Sequence, residues 1–468
     1  AQDPFFRFVS KLAKKPTDDP EFKFTERRPS FHKRYAYATA FSNDNTTYVE
    51  NQSTNATTQY DTYETAGNTV YVKLATDYKS GGNRQNIYGQ SNEEIVIGAD
   101  GTQPAFYMPG QMIKINFSDS AAGAVKSYAI VSVDTVTLQD ESTSPPTSHT
   151  HGEAAIIKGT VVKTKTAGDD YYAGPLGVNT PVGDSTYSTS IAGSTSSNGL
   201  EQSRVYVVGN SHSQGSGFPE TWKDQPFSTA FGRTQIWKTA MAMDNTTRAT
   251  VLKYEPNEYA RIWREKLIEH KYDIEQAILF GSQYDSGDEW YTQGAVDFIS
   301  NYGNVFSLTH ASKTQDDFLD DLSNFLDPRY NNANATLFFV DTQTYNWLHK
   351  LSGYFSNNLE ISPNLRADMA LVGRKKVFGA DVTTISTPFG DMNVTRNIHL
   401  DGSPIKILAV NMKNVAYRPL VGNGLNRDTA IYVGVQTLEN SGVDRRVDLI
   451  QTEAGMEFQM PESHAYWS

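Results

Sequence analysis

EPNEYARIWREKLIEHKYDIEQAILFG, residues 255–281, has the spacing of one long amphipathic helix in a chain otherwise made of short strands and polar loops. Pro256 suits a first helical position, where a missing N–H costs nothing, and Gly281 is read as a left-handed stop. Tyr259, Ile262, Trp263, Leu267, His270, Ile274, Ala277 and Ile278 recur at three- and four-residue steps, which places them on one face. Glu258, Arg261, Arg264, Glu265, Glu269, Lys271 and Glu275 take the other face. A helix over 256–280 makes a rod of roughly 38 Å, enough to span a layer of a domain. We read it as a spine with Tyr259, Trp263, Leu267 and Ile274 as its core.

Composition bounds what surrounds the spine. The 468 residues contain no cysteine, which excludes disulfides, thiolate metal sites and a cysteine nucleophile and favours assembly in a reducing compartment. Hydrophobic residues reach only 38%, but 26 Tyr and 23 Phe supply rings for ordered packing. No apolar run approaches the ~20 residues that cross a bilayer, and the first residues lack the apolar stretch of a signal peptide. Net charge is −12, yet residues 1–34 carry nine Lys and Arg against five Asp and Glu. Such asymmetry marks a basic arm on an acidic body, and an acidic body argues against a reader of nucleic-acid sequence.

Along the chain, PFFRFVSKLAKK at 4–15 puts Phe5, Phe8, Val9 and Leu12 on one helical face. A stripe this short is marginal in water, so it is expected to dock on a neighbouring subunit, with Arg27 and Arg28 completing the intersubunit surface. Residues 42–69 are Asn/Thr-rich and read as extended. Within 93–164, EEIVIG, QMIKINF, YAIVSVDTVTLQD and AAIIKGTVVKTK are β-branched runs between turns, the pattern of a small antiparallel sheet or barrel. The 140–153 segment reads as an exposed hairpin tip, and 183–203 as extended. After the spine, DDFLDDLSNFL at 316–326 reads as a helix with Phe318, Leu319, Leu322 and Phe325 inward. ATLFFVD at 335–341 reads as a buried strand, and Thr342 as the cap of a third helix. From Val377 the chain is mainly β, so this half is an α+β body.

Motifs for chemistry are absent. His149 and His151 sit in a Pro/Ser tip without a third ligand. Asp285, Asp288 and Glu289 lack calcium-loop spacing and read as a turn. Asp316, Asp317, Asp320 and Asp321 lie where a helix dipole favours acids. Gly215-Ser-Gly217 lacks the residues of a phosphate loop, and neither G-x-S-x-G nor H-E-x-x-H occurs. No catalytic residue, cofactor or metal is expected, which points to a structural protein.

PEFKFTE at 20–26, TQIWKTAMAMDNTTRA at 234–249, the spine, STPFGDMNVTRN at 386–397 and TEAGMEFQMPESHAYW at 452–467 resemble a family of tailed-bacteriophage major capsid proteins with the Hong Kong 97-type fold. The resemblance implies an N-terminal arm over 1–78 and an extended loop over 79–250 that carries the β insertion at 93–164. It implies a peripheral domain from 251–326 with 440–468, and an axial domain over 327–439. It also implies a homo-oligomer of hexamers and pentamers in an icosahedral virion head around double-stranded DNA held without sequence preference, assembled in the host cytoplasm. Portal, scaffolding and decoration proteins are the implied partners, and no membrane is involved. The competing expectation is an extracellular or tail-associated carbohydrate-binding β protein, suggested by the Tyr/Asn/Thr-rich surface. A glycoside hydrolase comes third.

Overall fold

The computed structural model describes residues 3–26, 34–46, 62–75, 107–118, 125–139, 154–165, 204–218, 227–254, 256–326, 328, 331, 335–353 and 370–468. Two compact units form, one from Ala1–Glu26 with Thr229–Ser468 and the other from Arg27–Ser228.

The first unit is built around Thr336–Val340 (TLFFV), buried at all five positions. Side chains alternate across a strand. Leu337 and Phe339 therefore enter one apolar cluster, with Phe5, Phe8, Ile274 and Ile278, while Phe338 and Val340 enter another, with Phe318, Phe325 and Trp467. The strand sits mid-sheet in the order Asn304–Phe306, Ala465–Trp467, Ile407–Asn411, Thr336–Val340, Gly390–Arg396, Ala380–Thr387, Ala370–Val377. Thr336–Val340 runs parallel to Gly390–Arg396 and antiparallel to Ile407–Asn411, so the sheet is mixed. The Gln315–Phe325 helix packs in the second cluster, while Pro4–Leu12, Glu258–Phe280 and Ala295–Tyr302 pack in the first.

A second sheet is organised by the long strand Arg445–Phe458. It pairs antiparallel with Gln235–Asp244 over the ten residues from Arg445↔Asp244 to Ala454↔Gln235. It also pairs with Val415–Pro419 and Ala430–Gln436.

The spine is helical over Glu258–Phe280, about 34 Å at 1.5 Å per residue. Two details differ from the sequence reading. Asn257, not the Pro256 position, opens the helix, its side chain accepting the Ala260 N–H at 3.0 Å. Gly281 is extended (φ −67°, ψ 156°), not left-handed. Glycine is needed there for space, since a Cβ would lie 2.4 Å from the Ala277 carbonyl oxygen. The third helix starts at Thr342, but Asp341 caps it, accepting the Thr344 N–H at 2.6 Å. Thr342 is instead tied to Asp401.

The second unit is a closed barrel with strand order Tyr35–Ser42, Thr69–Ala75, Ala154–Lys165, Val125–Gln139, Gln111–Ser118, Arg204–Asn210. Its interior holds Val70, Val72, Ile113, Ile115, Val131 and Ile157 among others, with alternate residues inward along Thr69–Ala75 and Gln111–Ser118. Gly159 lets the walls approach, because a Cβ there would meet Val131 Cγ1 at 2.4 Å.

These pairings regroup the expected segments. The barrel draws strands from 35–42, 69–75 and 204–210 as well as from 93–164, so residues expected in the arm over 1–78 pair with residues expected in the extended loop. Ala430–Gln436, expected in an axial domain, pairs with Arg445–Phe458, expected in a peripheral one. Asn304–Phe306 likewise joins the sheet of Thr336–Val340. EEIVIG at 93–98, the 140–153 tip with His149 and His151, and 183–203 lie outside the described residues.

Candidate assembly surfaces

The N-terminal stripe is satisfied within its own chain, which corrects the expectation for Phe5, Phe8 and Val9. All three are buried in the cluster that contains Leu337 and Phe339. Phe5 and Phe8 meet the Phe339 ring edge-on at 5.2 and 6.1 Å. Leu12, 56% exposed, is the stripe residue that remains available to another molecule. Arg27 and Arg28 lie outside the described residues.

Three further contacts hold this segment. Helix Pro4–Leu12 has no side-chain cap from Asp3. The cap comes from Glu275, on the spine, whose carboxylate accepts the N–H groups of Phe5 at 3.2 Å and Phe6 at 2.6 Å. Asn397 Nδ2 donates to the same carboxylate at 2.8 Å. Burial pushes the Glu275 pKa up to about 7, against the pull of these hydrogen bonds, and nearby Asp3 adds repulsion. The turn Phe378–Gly379 closes over the helix. Phe378 adopts φ 50°, a strained conformation for an aromatic residue, and its ring meets Phe8 at 5.8 Å. Beyond the helix, the N–H groups of Lys15 and Thr17 donate to the carbonyls of Tyr417 and Pro419.

Glu275 was placed on the polar face by its charge alone. The overlooked signal is spacing, since Ile278 and Leu279, both buried, lie three and four residues further along. Of the expected spine core, Ile274 is fully buried, but Tyr259, Trp263 and Leu267 are only half-buried. The spine is thus buried over its C-terminal half and partly open over its N-terminal half. Tyr259 lies under the guanidinium groups of Arg248 and Arg446, at 5.7 and 5.3 Å. Between the halves, buried His270 bridges Thr239 Oγ1 at 2.9 Å and Thr452 Oγ1 at 2.8 Å. Burial lowers its pKa and so favours the neutral ring.

Asp285, Asp317 and Asp321, among the acidic groups singled out by sequence, have local structural partners. Asp317 closes a reciprocal cap with Thr314, and Asp321 accepts the Trp467 indole N–H at 3.0 Å. Asp285 pairs with Arg233, and Gly287 at φ 68° makes the hairpin turn that follows the spine. Arg233 also lies over the Trp290 ring at 5.2 Å. An open cleft of about 720 Å³ separates this hairpin, at Trp290 and Tyr291, from Ile236 and Lys238 on the second sheet. Among the described residues no helix is long and apolar enough to cross a membrane.

Exposed apolar side chains gather in two stretches of the first unit. Val251 and Tyr254 precede the spine, and Ile431, Tyr432, Val433, Val435, Leu438 and Val443 lie on and after the strand Ala430–Gln436. Such stretches suit contact with other protein surfaces better than they suit water.

Comparison with known proteins supplies the rest. A family model described as SU10 major capsid protein matches residues 36–467. Among solved structures, a chain from Gordonia phage Cozz is 12% identical, with 55% of this chain and 78% of that chain covered and a TM-score of 0.35. A chain from Microbacterium phage Oxtober96 is 12% identical over 55% of this chain and 80% of that chain, with a TM-score of 0.37. The capsid structure of the cyanophage P-SCSP1u gives 11% identity over 55% of this chain and 79% of that chain, with a TM-score of 0.35. No curated protein sequence matches. With nearly its whole length matched, this chain belongs to the SU10 major capsid protein family, a family of structural, non-enzymatic capsid subunits.

Proposed function

We propose that this chain forms hexamers and pentamers of an icosahedral phage head that encloses double-stranded DNA. The observation that carries the reading is the family match over residues 36–467, which makes the protein a subunit of a self-assembling virion shell and sets aside the carbohydrate-binding alternative. The second sheet with the spine forms the peripheral part of each capsomer, and the seven-stranded sheet forms the part nearest its axis. The barrel unit is an elaboration of the extended loop. DNA is held without sequence preference, as suits a chain whose net charge is −12. Assembly takes place in the host cytoplasm with scaffolding and portal proteins.

Sedimentation of the expressed chain, with scaffolding protein supplied, tests this. Hexamers, pentamers or shells of many copies are expected. A species that stays monomeric at all concentrations would refute it.

A further inference from the structure

We infer that the bulged edge strand Ala430–Gln436 is a contact surface for a second copy of this chain; the inference rests on the shell-forming reading above. The strand pairs on one side with Arg445–Phe458, and on its other side with no strand among the described residues. AIYVGVQTL, residues 430–438, contains no charged residue and no proline. An uncharged, β-branched edge left open is a site of indiscriminate aggregation, and proteins ordinarily blunt it with Lys, Pro or a β-bulge. This edge has neither Lys nor Pro, and its bulge leaves apolar side chains outward.

Its shape is also held by specific contacts. Pairing runs Ala430↔Gln451, Ile431↔Ile450 and Tyr432↔Leu449, then resumes at Gln436↔Val447. Residues 433–435 therefore bulge opposite Asp448. Gly434 takes φ 70°, and its N–H donates to the buried Asp448 carboxylate at 2.6 Å. Arg446 Nε donates to the same oxygen at 3.1 Å. A bulge re-aims side chains, and here it leaves Val433 61% and Val435 47% exposed. The buried carboxylate is paired with Arg446 and with the Gly434 N–H, so it fixes the bulge and holds the two valines outward.

The occupant is a neighbouring copy. The established role of the family is a shell made of repeated copies, so every subunit has copies around it. An uncharged strand offers nothing to DNA phosphates, whose binding needs Lys or Arg. It offers both backbone groups and apolar side chains to a protein surface of the same kind.

The absence of cysteine permits a direct test. Val433→Cys introduces a single thiol whose reaction with a maleimide reports its access. In shells assembled from this chain and stripped of other proteins, labelling should be at least about tenfold slower than in free subunits, because interface cores pack like protein interiors. Equal labelling in both states would overturn the inference. So would protection that appears only when a different phage protein is added, which would assign the strand to that partner. As a second variant, Val433→Lys with Val435→Lys should keep the subunit's melting temperature and lose most of its shell yield; parental yield would overturn the inference. If the parent chain forms no assembly, both the shell reading and this surface fall, and that outcome is seen before any substitution is made.

Discussion

Glu275 and His464 are buried ionisable groups whose pKa values are displaced in opposite directions. The Glu275 pKa is raised from 4.5 to about 7, chiefly by burial. Its stabilising contribution is therefore present at acid pH and is lost as pH rises from about 4.5 through 7. His464 accepts the Asn411 N–H through Nδ1 at 3.2 Å and donates from Nε2 to the Gln459 carbonyl, a pattern that needs the neutral ring. Burial lowers its pKa from 6.5 to about 4, so its contribution is present above pH 6.5 and is lost as pH falls through 4. The two windows overlap with opposite sign, and the parent chain should show little net pH dependence from this pair. Glu275→Gln keeps an acceptor for the Phe5 and Phe6 N–H groups and removes the ionisation. The variant should lose more stability than the parent between pH 7 and pH 5, by about 2 kcal/mol. Urea midpoints at the two pH values measure this, and parallel pH profiles would contradict it.

At the scale of elements, burial separates residues that the helical period had grouped together. Ile274→Ala, at a fully buried position, should cost about 2–5 kcal/mol of subunit stability. Trp263→Ala, at a half-buried one, should cost roughly 1 kcal/mol in the free subunit. Thermal melts of the two variants check the ranking, and equal losses would contradict it. Deleting residues 1–12 should destabilise the first unit, because Phe5, Phe8 and Val9 are buried and burial of each such side chain contributes about 1.5–3 kcal/mol. A truncated chain as soluble and stable as the parent would show that this helix is a detachable arm. The period of three and four residues made both helices legible in the sequence. It did not say whether an apolar face meets its own chain or another one. The partner of Phe5 is Phe339, more than 300 residues away, and no local pattern announces it. The barrel was legible only in part, since Tyr35–Ser42 and Thr69–Ala75 are separated by an Asn/Thr-rich stretch that hides their pairing with residues 154–165 and 204–210. Charge alone places Glu275 on the polar face, whereas its helical spacing from buried Ile278 and Leu279 places it inside.

For the whole molecule, the match over residues 36–467 makes this α+β chain a major capsid protein of the SU10 family. The division into two units differs from the arm, loop and domain boundaries suggested by the sequence, because strand pairing and not chain order decides which residues pack together. On the proposed reading, copies of this chain build a closed shell. Electron microscopy of the expressed protein with scaffolding protein present tests it most directly. We predict closed particles of uniform diameter whose surface resolves into six-fold and five-fold rings of this chain. A field of dispersed single subunits, folded by circular dichroism and free of rings or shells, would contradict it.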